Sequence, residues 1–573
     1  MDKNSKLKVW LPVIIAASIA LGIYIGNHYL TISQGLRRPM MGGSKIDAIF
    51  DLIDKQYVDT VDMNDLIEST IPKIFSELDP HSVYIPAEEA LAVNEELEGS
   101  FSGIGVTFNM QTDTILVINV ISGGPAEKAG ILPFDRIITI NDSIFSGQKK
   151  NQNEIMKTLR GAKDSIVRLG IKRGNEPDLL TVEVTRGDVP VNSVDVAYEV
   201  AKGIGYIKVS KFGRNTYNEF ITAIAKLKQL DCEAFVVDLR GNTGGYLDAA
   251  INMINEFMPQ GQLIVYTEGK SYPRSDVYAN GTGTCKEDPI VVLTDESSAS
   301  ASEIFSGAIQ DNDRGLIVGR RTYGKGLVQT QMTLNDGSEM RLTIARYYTP
   351  SGRCIQKKYE KGNSEEYDQD LYNRYMHGEF DSADSIKLDD SLRYQTLAGR
   401  TVYGGGGIMP DIFIPRDTSG ITSYYSNVIS SGVLYLFALE YSDRHREEFA
   451  AYGSWKELYA HLRQQPLLEE FTNFAVVKGI KKRPTLIQIS GKLIENQLQA
   501  YIVRNFFDDE GFYPIFLEDD VTLLKAIQLL KEGKAWPTLN NQNESIDGNM
   551  QSEAGRTKGY GRGKEKIHAA GVA

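Results

Sequence analysis

Ser300 and Lys325 are the residues whose types and setting could do chemistry. They lie in Thr294–Gln331, TDESSASASEIFSGAIQDNDRGLIVGRRTYGKGLVQTQ, which puts a serine at the start of a helix pattern and, further on, a lone lysine between two glycines. The six histidines are His28, His81, His377, His445, His461 and His568, with none between 82 and 376. A Ser-His-Asp triad would need a distant histidine. A Ser-Lys pair needs none, because a lysine kept neutral by burial can take the serine proton as general base.

Each residue also has an ordinary reading. Ser300-Ala301-Ser302-Glu303 fits a capping box, with serine as N-cap and glutamate at the third helical position. The same geometry would suit a nucleophile, since a hydroxyl at a helix N-terminus lies beside free backbone amides that can hold an oxyanion. Exposed lysines usually carry no role. For Lys325 to work as a base its pKa must fall from about 10.4 to about 7 to 8, roughly 3 to 4 kcal/mol of desolvation and local charge, so the mechanism requires burial. Gly319–Lys325 also fits the G-x4-G-K part of a phosphate-binding loop. Gly326 stands where that loop has Ser or Thr, and Leu327–Gln331 reads as strand, so nucleotide binding is set aside.

The elements that must position the pair form a β/α core over 194–415. Ile204–Val209 and Phe235–Leu239 read as apolar strands with an amphipathic helix, Thr216–Leu230, between them. The turn Arg240-Gly241-Asn242-Thr243-Gly244-Gly245 leads to a helix over Leu247–Phe257, and Leu263–Thr267 and Ile290–Thr294 are further strands. Leu316–Val318 and Leu327–Gln331 flank the lysine loop. Strand–helix–strand repetition implies a sheet covered by helices. An acidic, tyrosine-rich insert, 357–400, reads as a surface excursion.

Before the core, 44–98 has helical periodicity (Ile46, Ile49, Phe50, Ile53; Leu66, Ile67, Ile71, Ile74), broken by Leu78-Asp79-Pro80-His81. His81 follows a proline near a helix end and reads as structural. From 99 to 186 the pattern turns to short β-runs with a Gly103-Ile104-Gly105-Val106 loop, a short helix after Gly124, a helix over Glu154–Arg160 and a closing hairpin. That order resembles a PDZ domain. The resemblance implies that amides of Gly103, Ile104, Gly105 and Val106 bind a peptide's terminal carboxylate while the peptide adds a strand to the sheet edge. After the core, 423–535 is helical, as in Val521, Leu524, Ile527 and Leu530, and 540–573 is polar, Gly-rich and predicted disordered.

At 573 residues, three or four domains are expected. The apolar and charged fractions, 42% and 24%, are those of packed globular protein, and a net charge of −13 argues against nucleic acid as partner. Cys232, Cys285 and Cys354 have no metal-ligand or disulfide spacing and read as small buried hydrophobes. Lys3, Lys6 and Lys8 precede the charge-free stretch Val9–Ile25, roughly 25 Å as a helix, just enough to cross a thin bilayer. Residues 1–35 therefore read as a cytoplasmic segment and uncleaved transmembrane signal anchor, with the rest translocated to the periplasmic or extracytoplasmic side.

SASASEI, AIQD, GRRTYGKGLVQT and ARYYTPSGR, with DLRGNTGG upstream, GIMPDI downstream and LDPHSVY before the β-rich segment, resemble the C-terminal processing peptidases, or tail-specific proteases, over roughly 44–415. The resemblance implies a multidomain α+β fold: a β/α crotonase-like peptidase core with an inserted PDZ β-barrel, an N-terminal helical segment and a C-terminal helical extension. It implies Ser300 as nucleophile, Lys325 as general base twenty-five positions later, and Gln329 as the group orienting the lysine. Amides of Gly245 and Ala301 match the oxyanion hole, and Asp311 an acidic position linked with activity in some members. The implied reaction is peptide hydrolysis through an acyl-enzyme, with no metal or organic cofactor, on protein substrates with apolar C-terminal tails. The helical segments offer faces for a homodimer or an adaptor. The rival reading is a membrane-anchored PDZ scaffold with an inactive core.

Overall fold

The structure is a computed structural model that describes residues 16–24, 45–111, 113–174 and 176–537. Of the apolar N-terminal stretch only 16–24 is described, as helix; the rest of it and the tail from 540 lie outside the described residues. No helix among the described residues is long and apolar enough to cross a membrane. The chain divides into two compact units, 1–77 and 78–573. The first contains α1 (Lys45–Gln56) and α2 (Met63–Ser76), with the Asp62 carboxylate capping α2 by accepting from Asn64 N at 2.9 Å. Neither helix contains a buried residue.

The second unit opens with the turn at Asp79–Ser82, then β1 (Val83–Ile85) and α3 (Ala87–Glu98). The β-rich segment follows: β2 (Ser100–Gly103), β3 (Val106–Gln111), β4 (Thr114–Val120), α4 (Pro125–Lys128), β5 (Arg136–Ile140), β6 (Ser143–Ile144), α5 (Gln152–Leu159), β7 (Ile166–Lys172), β8 (Leu180–Thr185) and β9 (Gly187–Pro190). Its main sheet runs β3-β4-β5-β7-β8, with β3 at an edge, and β2 pairs with β9 so that entry and exit of the segment are zipped together.

The core comprises β10 (Val194–Ala201), β11 (Ile204–Val209), α6 (Thr216–Gln229), β12 (Ala234–Asp238), α7 (Leu247–Asn255), β13 (Leu263–Glu268), β14 (Ser275–Tyr278), β15 (Ile290–Thr294), α8 (Ala301–Asp311), β16 (Leu316–Gly319), β17 (Leu327–Thr333) and β18 (Glu339–Tyr348). The insert supplies α9 (Ser364–Asp368), α10 (Asp370–Met376), β19 (Arg393–Gln395) and β20 (Thr401–Tyr403), and β21 (Ile412–Phe413) closes the core. The larger sheet runs β10-β11-β12-β15-β16-β21, parallel except for β10. Its strands read as continuous apolar runs because both faces are covered. Phe235, Val237, Ile290, Val292 and Ile317 join α6, α7 and α8 on one side, while Val236, Val291, Leu293, Leu316 and Val318 face the other. The smaller sheet runs β1-β18-β13-β14, with β17 on β18.

The C-terminal extension is α11 (Ser423–Ser430), α12 (Val433–Arg444), α13 (Arg446–Ala450), α14 (Trp455–Leu462), α15 (Leu467–Val477), α16 (Pro484–Phe516, kinked at Phe507–Asp508) and α17 (Val521–Lys531). The first six share one apolar cluster. α17 covers the open face of the larger sheet through Leu523, Ala526, Ile527 and Leu529. This corrects the expected stripe: Val521 and Leu524 are 42% and 48% exposed, because the sheet selects a face rotated from the most periodic one.

The insert also departs from expectation. It is anchored instead of projecting: Arg374 donates to the Thr322 and Arg321 carbonyls (3.0 and 2.9 Å), and Arg400 pairs with Asp313 (2.6 Å) and Asp411. Its charge density reads as solvated in sequence, but each of these buried guanidinium groups has its acceptors supplied by the core.

Candidate active site

Ser300 is the N-cap of α8 at φ 54°, ψ −112°, a left-handed conformation that costs a non-glycine residue about 1–3 kcal/mol. The strain is held by neighbours. Gly244 packs so closely that a Cβ there would lie 2.7 Å from Ser300 Cβ and 3.0 Å from Ala301 N. Asn242, fully buried, ties the glycine turn to the helix start: its side-chain oxygen accepts from Gly244 N (2.8 Å), and its carbonyl accepts from Ala299 N (3.0 Å) and Ser302 Oγ (2.8 Å). Gly244 O and Tyr246 N bridge to Phe212, which leaves the Gly245 N–H outside the bridge. α8 begins at Ala301, whose N–H has no preceding helical turn to bond.

Glu303 joins the two halves of the site. Its carboxylate accepts from Ser300 N and Lys325 N at 2.8 Å each, both through Oε2, and from Gly324 N (2.8 Å) and Thr322 Oγ1 through Oε1. The backbones of serine and lysine thus share one carboxylate oxygen. The capping glutamate was legible in sequence, but its second set of partners was not. Burial pushes its carboxyl up to about 7, against hydrogen bonds that favour the ionised form. From the other side the buried Tyr347 hydroxyl lies within hydrogen-bond reach of the Ser300 carbonyl (3.1 Å) and the Lys325 carbonyl. Tyr347, and the partners that Glu303 and Asn242 find across the candidate site, are what motif reading did not reveal, although SASASEI and ARYYTPSGR contain Glu303 and Tyr347.

Lys325 is half-buried, and its Nζ donates to Gln329 Oε1 at 3.2 Å. Burial first, then the Arg341 guanidinium, pull its pKa below that of an ordinary lysine, while Glu303 and Asp79 act against them. Gln329 follows a shift in the β17–β18 register at Val328–Gln329, and its Nε2 donates to the His81 carbonyl. A cavity of about 1070 Å³ opens beside the lysine loop, walled in part by Tyr323, Gln356, Lys357 and Tyr367.

Asp311 is apart from these groups. It ends α8, roughly 15 Å along the helix from the serine, in a fully buried ion pair with Arg353 (2.8 Å), and it accepts from Ser351 Oγ at 2.7 Å. It holds the loop after β18 at the end of α8 opposite Ser300. The glycine loop lies where the sequence put it: Gly103 ends β2, Gly105 takes φ 79°, and Val106 opens the edge strand β3. The Ile104 and Gly105 carbonyls accept from Ala126 N (2.7 Å) and Ile121 N (3.0 Å), which fixes the loop. Cys232 and Cys285 are buried thiols. Among the described residues no cluster of acids, histidines and cysteines could hold a metal ion.

Residues 203–364 match peptidase family S41, 102–184 a PDZ domain, 31–89 the N-terminal domain of the activating protease CtpB, and 424–508 a family of unknown function, DUF8443. The chain is 34% identical over 317 residues to the carboxy-terminal processing protease CtpB of Bacillus subtilis, covering 55% of this chain and 65% of that protein. It is 33% identical over 365 residues to a probable CtpA-like serine protease of Staphylococcus aureus, covering 62% and 72% respectively. The solved structure of the photosystem II D1 C-terminal processing protease is similar at 28% identity, with a TM-score of 0.31 over 53% of this chain and 88% of that one. With the S41 and PDZ segments in place, the chain belongs to the C-terminal processing peptidases of family S41, a family of serine-type peptidases.

Proposed function

We propose that this chain is an endopeptidase that hydrolyses peptide bonds with a Ser300–Lys325 dyad and selects protein substrates by their apolar C-terminal tails. The observation that carries the reading is the Glu303 oxygen shared by the Ser300 and Lys325 amides, which ties nucleophile and base into one rigid unit. It is supported by the lowered pKa of Lys325, whose neutral amine takes the Ser300 proton as Oγ attacks the scissile carbonyl carbon. The Gly245 and Ala301 N–H groups are the donors for the resulting oxyanion. The lysinium then gives its proton to the leaving amine as the C–N bond breaks. Water attacks the acyl-enzyme with the same base, regenerating Ser300 and releasing the new C-terminal acid. Tail recognition is supported by the open edge of β3 beside the Gly103–Val106 loop, where an extended peptide can add a strand. Export of these domains rests on the lysines before Val9–Ile25 alone.

The test is cleavage of an unstructured protein ending in apolar residues by the wild type and by Ser300→Ala. Loss in the variant is expected, leaving the tail still bound. A folded wild type that captures the tail without cutting, even with a tail peptide added as activator, would return the scaffold reading.

A further inference from the structure

We propose that Tyr367 and His81 are positioning residues for Lys325, so that the helical insert over 357–400 is part of the catalytic apparatus. This rests on the dyad reading above. The ring of contacts is closed. Lys325 Nζ donates to Gln329 Oε1 (3.2 Å), and Gln329 Nε2 donates to the His81 carbonyl. His81 Nε2 and the Tyr367 hydroxyl share a hydrogen bond of 2.7 Å, and Gln356 Nε2 donates to that hydroxyl at 3.3 Å. Gln356 Oε1 then accepts from Gly326 N at 2.8 Å, one residue from where the ring began.

A lysine side chain has four rotatable carbons' worth of freedom, and an amine that must meet a serine hydroxyl cannot wander. Gln329 restricts it only if Gln329 is itself fixed, and its amide is fixed by the His81 carbonyl. The carbonyl in turn depends on the imidazole, which meets Tyr367 edge-on with ring centroids 5.3 Å apart. Tyr367 comes from α9, is 3% exposed, and is set by the insert's own packing: the Lys357 ammonium lies 4.0 Å from its ring and 3.1 Å from Asp370. The turn is anchored separately, since the Asp79 carboxylate accepts from His81 N (3.0 Å) and Thr343 Oγ1 (2.9 Å). Burial, and after it the Lys325 charge, lower His81 to about 4, so the ring adds no cation beside the base at neutral pH. The other charged groups facing Lys325 are Glu303 on α8, Arg341 on β18 and Asp79; those facing His81 are Lys325, Asp79 and Lys357.

The experiment compares full-length wild type, Ser300→Ala, Tyr367→Phe, His81→Ala and the double variant on one peptide substrate across pH. Tyr367→Phe keeps the ring and removes the hydroxyl. It should lower kcat about tenfold with KM within about twofold, and move the acid limb of kcat/KM to higher pH as a freer Lys325 becomes better hydrated. The double variant should be no worse than the worse single one, because both break the same ring. Ser300-dependent cleavage with kcat and the acid limb unmoved in Tyr367→Phe would overturn the proposal alone, as would additive losses in the double variant. Wild type lacking Ser300-dependent cleavage would overturn the dyad reading and this proposal with it. Should Tyr367→Phe not fold, His81→Ala decides by the same acid limb: a limb at higher pH supports the ring, and an unmoved limb overturns it.

Discussion

A lysine can serve as general base only where its charged form is disfavoured, and in this chain two separable causes do that: burial and Arg341. The second can be removed without emptying the site. In the proposed dyad Lys325 works neutral, so kcat/KM should rise with pH through its pKa. Deleting a cation that lowers the pKa must raise it, and the rise moves the acid limb towards alkaline pH. Arg341→Gln, which keeps a donor for Asn94 Oδ1, should move that limb to higher pH and leave the rate on the alkaline plateau nearly unchanged. A limb displaced to lower pH would mean that the titrating group is not Lys325. At this scale Ser300, Lys325 and Gln329 could be put forward from sequence as candidates because each sits in a short motif with a chemical reason for its type. Glu303 was legible as a cap and Asn242 as part of a turn. Their long-range partners were not, because the residues they join lie twenty or more positions away with no periodic signal.

Among the elements, the glycine turn before α7 matters as much as the helix that carries the serine. Its residues Gly244 and Gly245 take φ of 108° and 140°, which side-chain-bearing residues rarely adopt. Space forbids a side chain as well: a Cβ on Gly245 would lie 2.1 Å from the Phe212 carbonyl oxygen, and one on Gly244 2.7 Å from Ser300 Cβ. Gly244→Ala should therefore displace the serine from its strained conformation and cost about a hundredfold or more in kcat, comparable to losing an oxyanion donor. Burst titration with an acylating inhibitor checks it, and acylation at the wild-type rate would show that the turn tolerates the methyl. The existence of the core's strands and helices followed from their apolar patterns, since both faces of the sheet are covered, whereas the order of the strands in the sheet did not. The buried face of α17 did not, because it is chosen by the sheet it covers. The insert was misread for a related reason: Tyr367 and His81 are 286 residues apart, and nothing local marks them as partners.

In the second unit as a whole, the PDZ segment is held at two places. At the stalk its entry and exit strands are paired, Ser100 opposite Pro190, and Arg160 pairs with Glu95 of α3. Its far side is fixed by the helical extension: Leu116 and Phe134 are buried with Leu439 of α12, Arg446 lies over the Phe134 ring at 4.9 Å, and Asn119 donates to Asp508 at the kink of α16 (2.8 Å). The extension, whose residues 424–508 match a family of unknown function, thus packs against the side of the PDZ segment away from its stalk. Leu439→Asp would put a carboxylate into that apolar contact, several kcal/mol unfavourable without a partner. The PDZ segment should then be cut from the core about tenfold faster by an added protease, at the stalk near Gly99 and Val191. KM for tail-bearing proteins should rise while short peptides without a tail are hydrolysed as before, because a tethered tail is presented at high effective concentration only while its holder stays in place. Equal proteolysis of the two proteins would mean that the stalk by itself keeps the PDZ segment in position, and that the extension serves some other surface.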